Sequence, residues 1–265
     1  MEPKLSSRID TADIGPFMIA RLRSEEVTGL VRSSVEGRQP LDIAICNAHT
    51  ILTALDNPDY AAMLKQMTLL NDGVGVNLAG RFLEGKRFPE NLNGTDLIPR
   101  ILQDIDRPLR VFLLGAREPH VLRTKRHIET AYPVHEVVGY RNGYFGPQEI
   151  SRICADINHT RPDLLLVAMG NPHQEAFIVQ NRAKLDVPVA IGVGALFDFM
   201  SGSVVRAPRI MQAMGLEWLF RLLQEPRRLY QRYVIGIPRF FSCAVEAQVP
   251  SVLCPCPSVM RLQRL

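Results

Sequence analysis

Short runs rich in apolar residues, several of them continuously apolar, alternate with longer helical patterns along most of this chain, and that alternation restricts the fold more than any other feature. The runs are Leu41–Cys46, Met67–Asn71, Leu109–Leu114, Glu136–Gly139, Leu164–Met169 and Val187–Val193. A strand that is apolar throughout must be covered on both faces, as in a parallel sheet flanked by helices. Helical patterns fill the gaps at Asp59–Gln66, Val74–Leu83, Thr95–Asp104, Pro119–Thr130, Pro147–Asn158 and Pro172–Asn181. The last three open with proline in the first turn, a favoured start. Thr95 reads as the cap of its helix, which carries Pro99 as a flaw. The alternation predicts an α/β fold, a doubly wound, mostly parallel Rossmann-like sheet.

Near Pro208 the pattern changes to helix alone and becomes basic. Seven arginines lie between Arg206 and Arg239 against Glu217 and Glu225, an excess of +5 where the whole chain of 265 residues carries +4. The sheet region is therefore close to neutral, and a nucleic-acid partner is not expected. The chain is expected to divide into an α/β sheet region over 1–209, a helical, arginine-rich C-terminal appendage over 210–249, and an unstructured Pro-rich tail over 250–265. No stretch is long and apolar enough to span a bilayer, and the first residues lack the apolar segment of a signal peptide. Five cysteines without a CxxC motif suit a reduced compartment and give no zinc pattern.

In doubly wound sheets ligands bind outside the carboxyl ends of the strands. The residues after each run here are polar or glycine, and they should converge on one rim. Asp72, followed by Gly73 and Gly75, could act as a general base or merely cap the next helix. Asn47, Gln174 and Asp198 could bind a sugar or nucleotide or serve as turn residues. Neither Gly73-Val74-Gly75 nor Gly192-Val193-Gly194 completes a dinucleotide fingerprint. Asp104-Ile105-Asp106 resembles a metal-binding DxD but precedes a strand, which puts it on the wrong rim. Arg221, Arg228 and Arg232, spaced by seven and four, share a helix face suited to an anionic membrane surface or a diphosphate, or else form a solvated face.

The ordered phrases Asn71-Asp72-Gly73-Val74-Gly75-Val76, Gly94-Thr95-Asp96-Leu97, Gly143-Tyr144-Phe145, Gly170-Asn171-Pro172-His173-Gln174-Glu175, Phe197-Asp198-Phe199 and Arg206-Ala207-Pro208 resemble the WecG/TagA/CpsF family of bacterial glycosyltransferases. The likeness runs from about Asp42 to Tyr233. It implies a metal-independent, cofactor-free, inverting enzyme, peripheral on the cytoplasmic face of the inner membrane. Such an enzyme moves a sugar from a UDP-sugar donor to a polyprenyl-diphosphate-linked sugar. The resemblance places the catalytic base at Asp72, nucleotide contacts at Tyr144, Gln174 and Asp198, a substrate-side amide at Asn47, and acceptor-diphosphate contacts at Arg221, Arg228 and Arg232. One departure stands out: a family arginine expected to stabilise phosphate is Asn91 here, so either Arg87 substitutes for it or the acceptor site differs.

The chain is most similar to the branch that adds the second glucose in xanthan-type exopolysaccharide assembly, which implies UDP-glucose and a β-1,4 linkage. The alternative is an N-acetylmannosaminuronate or N-acetylmannosamine transferase of enterobacterial-antigen or teichoic-acid type. A Rossmann-type oxidoreductase and a non-enzymatic membrane adaptor are more distant readings. An apolar helix or sheet face leaves room for a homo-oligomer.

Overall fold

The computed structural model describes residues 9–208, 211, 217–224, 226, 230, 236 and 238–240. Its strands are β1 (Thr11–Ile14), β2 (Phe17–Ala20), β3 (Leu41–Cys46), β4 (Thr68–Asn71), β5 (Arg110–Gly115), β6 (Glu136–Arg141), β7 (Leu164–Ala168) and β8 (Val189–Gly192). Its helices are α1 (Ser24–Gly37), α2 (Ala48–Asp56), α3 (Pro58–Leu64), α4 (Gly73–Glu84), α5 (Gly94–Asp104), α6 (Glu118–Ala131), α7 (Ile150–His159), α8 (His173–Asn181), α9 (Leu196–Met200) and α10 (Glu217–Gln224). The strands form one sheet in the order β1-β2-β4-β3-β8-β7-β5-β6. Every pairing is parallel except that of β1 with β2.

All six runs are strands of this sheet, and the registers of β3 and β7 show why the continuously apolar stretches are buried on both faces. Ile43 and Ile45 of β3 enter one core cluster, while Ala44 and Cys46 enter the other. In β7, Leu164 and Leu166 face one side and Leu165 and Val167 the other. Each fully buried Leu or Ile contributes about 2 kcal/mol by leaving water, so both faces hold their helices.

The N-terminal hairpin β1–β2, the helix α1 and the helix α2 are additional to the elements expected. The hairpin adds an edge beside β4. Arg21, 7% exposed, ties it down by donating to the carbonyl oxygens of Thr11 and Arg87 at 3.3 and 3.2 Å, pairing with Glu84 and lying over the Phe88 ring. Helix starts also move: α7 begins at Ile150, after a single tight turn over Pro147–Glu149, rather than at Pro147. The cap of α5 is Asn93, whose Oδ1 accepts from the Asp96 amide at 3.0 Å, rather than Thr95, whose hydroxyl donates to the same Asn93 oxygen. The helix α8 begins at His173, after a cis Asn171–Pro172 bond.

Asp104 ends α5 and Asp106 follows it before β5, both at the amino end of that strand and away from the carboxyl rim of the sheet, and Asp106 pairs with Arg32 at 2.9 Å. Arg239 forms two bonds to Asp56, at 2.9 and 2.6 Å, and Phe240 is buried in the cluster that also holds Ile51, Tyr60 and Leu64. The chain near 238–240 is thus anchored at the end of α2. Most of the basic region 210–249, and the whole of 250–265, lie outside the described residues. Among the described residues no helix is long and apolar enough to cross a membrane.

Candidate active site

The carboxyl ends of β3, β4, β5, β6, β7 and β8 open onto one cleft of about 1380 Å³. Asn47, Asp72, Tyr144, Gln174 and Asp198 all line it, together with Trp218 of α10. The tertiary fold therefore brings five of the expected site residues together. Arg221 lies on α10 but its side chain is outside the described residues, as are Arg228 and Arg232.

Asp72 follows β4 at the N-cap position of α4, yet its carboxylate makes no cap hydrogen bond to that helix. The reason is local. Gly73 adopts φ +81°, a left-handed conformation that glycine takes without strain, and its amide donates instead to Asn91 Oδ1 at 2.7 Å. Asn91, from the segment before α5, thus serves the head of α4. Asn77 Nδ2 donates to the same oxygen at 3.1 Å, and Asn77 Oδ1 accepts from buried Asn71 at 2.7 Å. Asp72 is left half-buried on the cleft wall, with Oδ2 accepting from Asn47 Nδ2 at 3.3 Å.

Asn47 serves two ends at once. Its Oδ1 caps α2 by accepting from the amides of His49 and Thr50 at 3.1 and 3.2 Å, while its Nδ2 faces Asp72. The cap fixes the amide's orientation, because only Nδ2 remains to donate. The binding and capping roles weighed for Asn47 are compatible.

Around the rim, Tyr144 is 69% exposed, with its amide held by Asn142 Oδ1 at 3.0 Å. Asp198 Oδ1 lies 2.9 Å from His120 Nδ1. Arg117, just after β5, is the single arginine or lysine among the described residues lining the cleft. The turn that presents it is tight: a Cβ on Gly115 would stand 2.2 Å from the Ala168 carbonyl oxygen, and Ala116 takes φ +54°. Arg87 is exposed and is not among the described residues that line the cleft. Asp96 and Arg206, from two separate phrases, meet at 2.7 Å. Burial pushes the Asp96 carboxyl up, but hydrogen bonds from Arg206 and Asn93 and the arginine's charge hold it below the usual range.

Gln174, in the cleft wall, is only 2% exposed, and Glu175 behind it is fully buried. Burial is the main cause raising the Glu175 carboxyl to about 7, against the lowering effect of the Gln174 amide and a backbone N–H. The Cys46 thiol is pushed well up by burial, then by the nearby charges of Glu175 and Asp72. Arg117, His120 and Glu175 were not among the expected site residues. Each sits within or beside a polar strand-end phrase, which is the one signal that could have drawn attention to them.

The chain matches the profile of the "Glycosyl transferase WecG/TagA/CpsF family" over residues 12–251. It is 33% identical over 206 residues to the N-acetylglucosaminyldiphosphoundecaprenol N-acetyl-beta-D-mannosaminyltransferase of Bacillus spizizenii, covering 77% of this chain and 78% of that protein. The enzyme of the same name from Bacillus subtilis is 32% identical over 200 residues, covering 75% of this chain and 76% of that protein. These names carry N-acetylmannosamine as the sugar transferred and give no support to the expected glucose donor or xanthan-type product. A cleft built at the carboxyl rim of a parallel sheet, the Asn47–Asp72 pair within it and a match across most of the chain lead to one assignment: the protein belongs to the WecG/TagA/CpsF family of glycosyltransferases.

Proposed function

We propose that this glycosyltransferase moves an N-acetylated hexosamine, N-acetylmannosamine first among the candidates, from its UDP-sugar to a polyprenyl-diphosphate-linked sugar, with inversion. The observation that carries the sugar is the one-third identity, across three quarters of the chain, to two enzymes named for that transfer. Asp72 is the general base. It takes the proton of the acceptor hydroxyl while that oxygen bonds to the anomeric carbon, and the bond from that carbon to the UDP oxygen breaks on the opposite face. The Asn47 amide aims the carboxylate, and capping of α4 by Asn91 keeps Asp72 available to the cleft.

Tyr144, Gln174 and Asp198 hold the nucleotide, with His120 orienting Asp198. Charge develops on the departing diphosphate, and Arg117 with the head of α6 is aimed at the same cleft to receive it. Arg221, Arg228 and Arg232 belong to the basic region over 210–249, which we assign to the acceptor diphosphate and to the anionic leaflet on the cytoplasmic face of the inner membrane. The test is a panel of UDP-sugars with a short-chain polyprenyl-diphosphate acceptor carrying N-acetylglucosamine or glucose, read by product mass and linkage. Transfer from UDP-N-acetylmannosamine to the N-acetylglucosamine acceptor is expected. Transfer from UDP-glucose alone would overturn the proposed donor.

A further inference from the structure

Glu175 is the most deeply buried carboxyl beside the cleft, yet it does not line it. Its Oε1 accepts from Gln174 Nε2 at 2.7 Å and from Asn171 Nδ2 at 2.9 Å, and the Tyr60 hydroxyl is close enough to lower its pKa. The Asn171 amide also reaches the hydroxyl of Tyr60, a fully packed residue of α3, at 2.9 Å. On its other side, Gln174 Oε1 accepts from the Gly194 amide at 3.0 Å. The Gln174 side chain is thus clamped between the turn after β7 and the turn after β8. Gly192 presses on it as well, since a Cβ there would stand 2.9 Å from Nε2.

A buried carboxyl costs stability, so its place needs a reason. A glutamine amide has two orientations related by a half-turn, which exchange its donor and acceptor ends. Here the two partners have fixed and opposite roles. The Gly194 N–H can only donate, and Glu175 Oε1 accepts from Nε2 whether or not the carboxyl carries a proton on its other oxygen. Together they permit one orientation, with one remaining N–H and one remaining lone pair available to the cleft.

We propose that Glu175 is a positioning residue that locks the Gln174 amide in one orientation and so offers the donor nucleotide a defined donor–acceptor edge. This rests on the reading that Gln174 contacts the nucleotide. Asn171 and Tyr60 hold the carboxyl itself in place, which makes the clamp a chain from α3 to the turn after β8.

Calorimetric titration of the full chain with UDP tests the clamp through a double-mutant cycle. Gln174→Ala should weaken binding about tenfold, the worth of one well-placed hydrogen bond. Glu175→Leu, which removes the acceptor, should weaken it by a similar factor, and the double variant should be no weaker than either single one. Glu175→Gln keeps an acceptor oxygen at the same reach and should stay within about threefold of wild type. Should Glu175→Leu fail to fold, Glu175→Asp retains the charge but draws the acceptor back by about one C–C bond, 1.5 Å, and should reproduce the loss. Wild-type affinity in Glu175→Leu or Glu175→Asp, or a double variant whose loss is the product of the two single losses, overturns the positioning role. Unchanged UDP binding in Gln174→Ala overturns the nucleotide reading of that residue, and the inference with it.

Discussion

Asp72 and Glu175 both stand where a parallel strand hands over to a helix, and their surroundings are opposite. Asp72 is half-buried on the cleft wall and accepts from the Asn47 amide at 3.3 Å. Glu175, on the first turn of α8, is sealed beneath the floor and takes two amides on a single oxygen. Depth below the rim decides what a carboxylate can do. One within reach of a substrate hydroxyl can exchange a proton with it, whereas a sealed one can only orient its neighbours. The comparison also separates two uses of amides. Asn91 caps α4 in place of Asp72, while Gln174 is held by the carboxyl next to it.

The strongest break in this contrast is Asp72→Asn. It preserves shape and the contact with Asn47 but removes the base, and turnover should fall by roughly 10²- to 10⁴-fold while UDP still binds. Steady-state rates and calorimetry on the same preparation check this, and a variant with full turnover would remove Asp72 from the chemistry.

Next in size is the pH dependence of stability attached to Glu175. Its folded value of about 7 lies above the ordinary 4.5, so between those values the native chain keeps a proton that the unfolded chain releases. Its stabilising contribution is therefore present at low pH and lost as pH rises through 7, an unfavourable change of about 3 kcal/mol. Glu175→Gln should abolish that slope. Urea unfolding from pH 4.5 to 8 should show the wild type losing ground to the variant, and parallel curves would contradict the raised value.

Asn47→Ala removes both the α2 cap and the partner of Asp72. About 1 kcal/mol of stability and about a tenfold drop in turnover are expected, measurable by thermal unfolding and initial rates. Asn47→Asp should restore the cap while placing a like charge beside Asp72, so stability should return and turnover should not. The smallest effect belongs to Arg117→Ala. Its exposed guanidinium should contribute about fivefold to UDP affinity and nothing to uridine affinity. An equal loss for both ligands would separate Arg117 from the diphosphate.

The strands were legible because burial on both sheet faces leaves a run of apolar residues in the chain, as in Leu164–Met169. The hairpin β1–β2 was not, since strands of four residues at an edge carry too short a pattern. The helix α1 did carry a signal, with Val27, Val31 and Val35 at successive turns of its buried face. For the site, the polar phrases marked which segments would meet, and Asn47, Asp72, Tyr144, Gln174 and Asp198 do share a cleft. The Asn91 cap joins groups eighteen positions apart, and no local pattern announces such a bond.

By itself the sequence determined the layered α/β class, the rim on which ligands would be met and the basic bias of the C-terminal region, because each is written in local composition and period. Only the tertiary structure decided that Asp72 is not spent as a cap, that Asn47 points at it, and that Gln174 and Glu175, adjacent in the chain, divide into cleft wall and sealed support. Those outcomes depend on which distant amide reaches a carboxylate first and on how much water is excluded around it, and both are set by packing between elements.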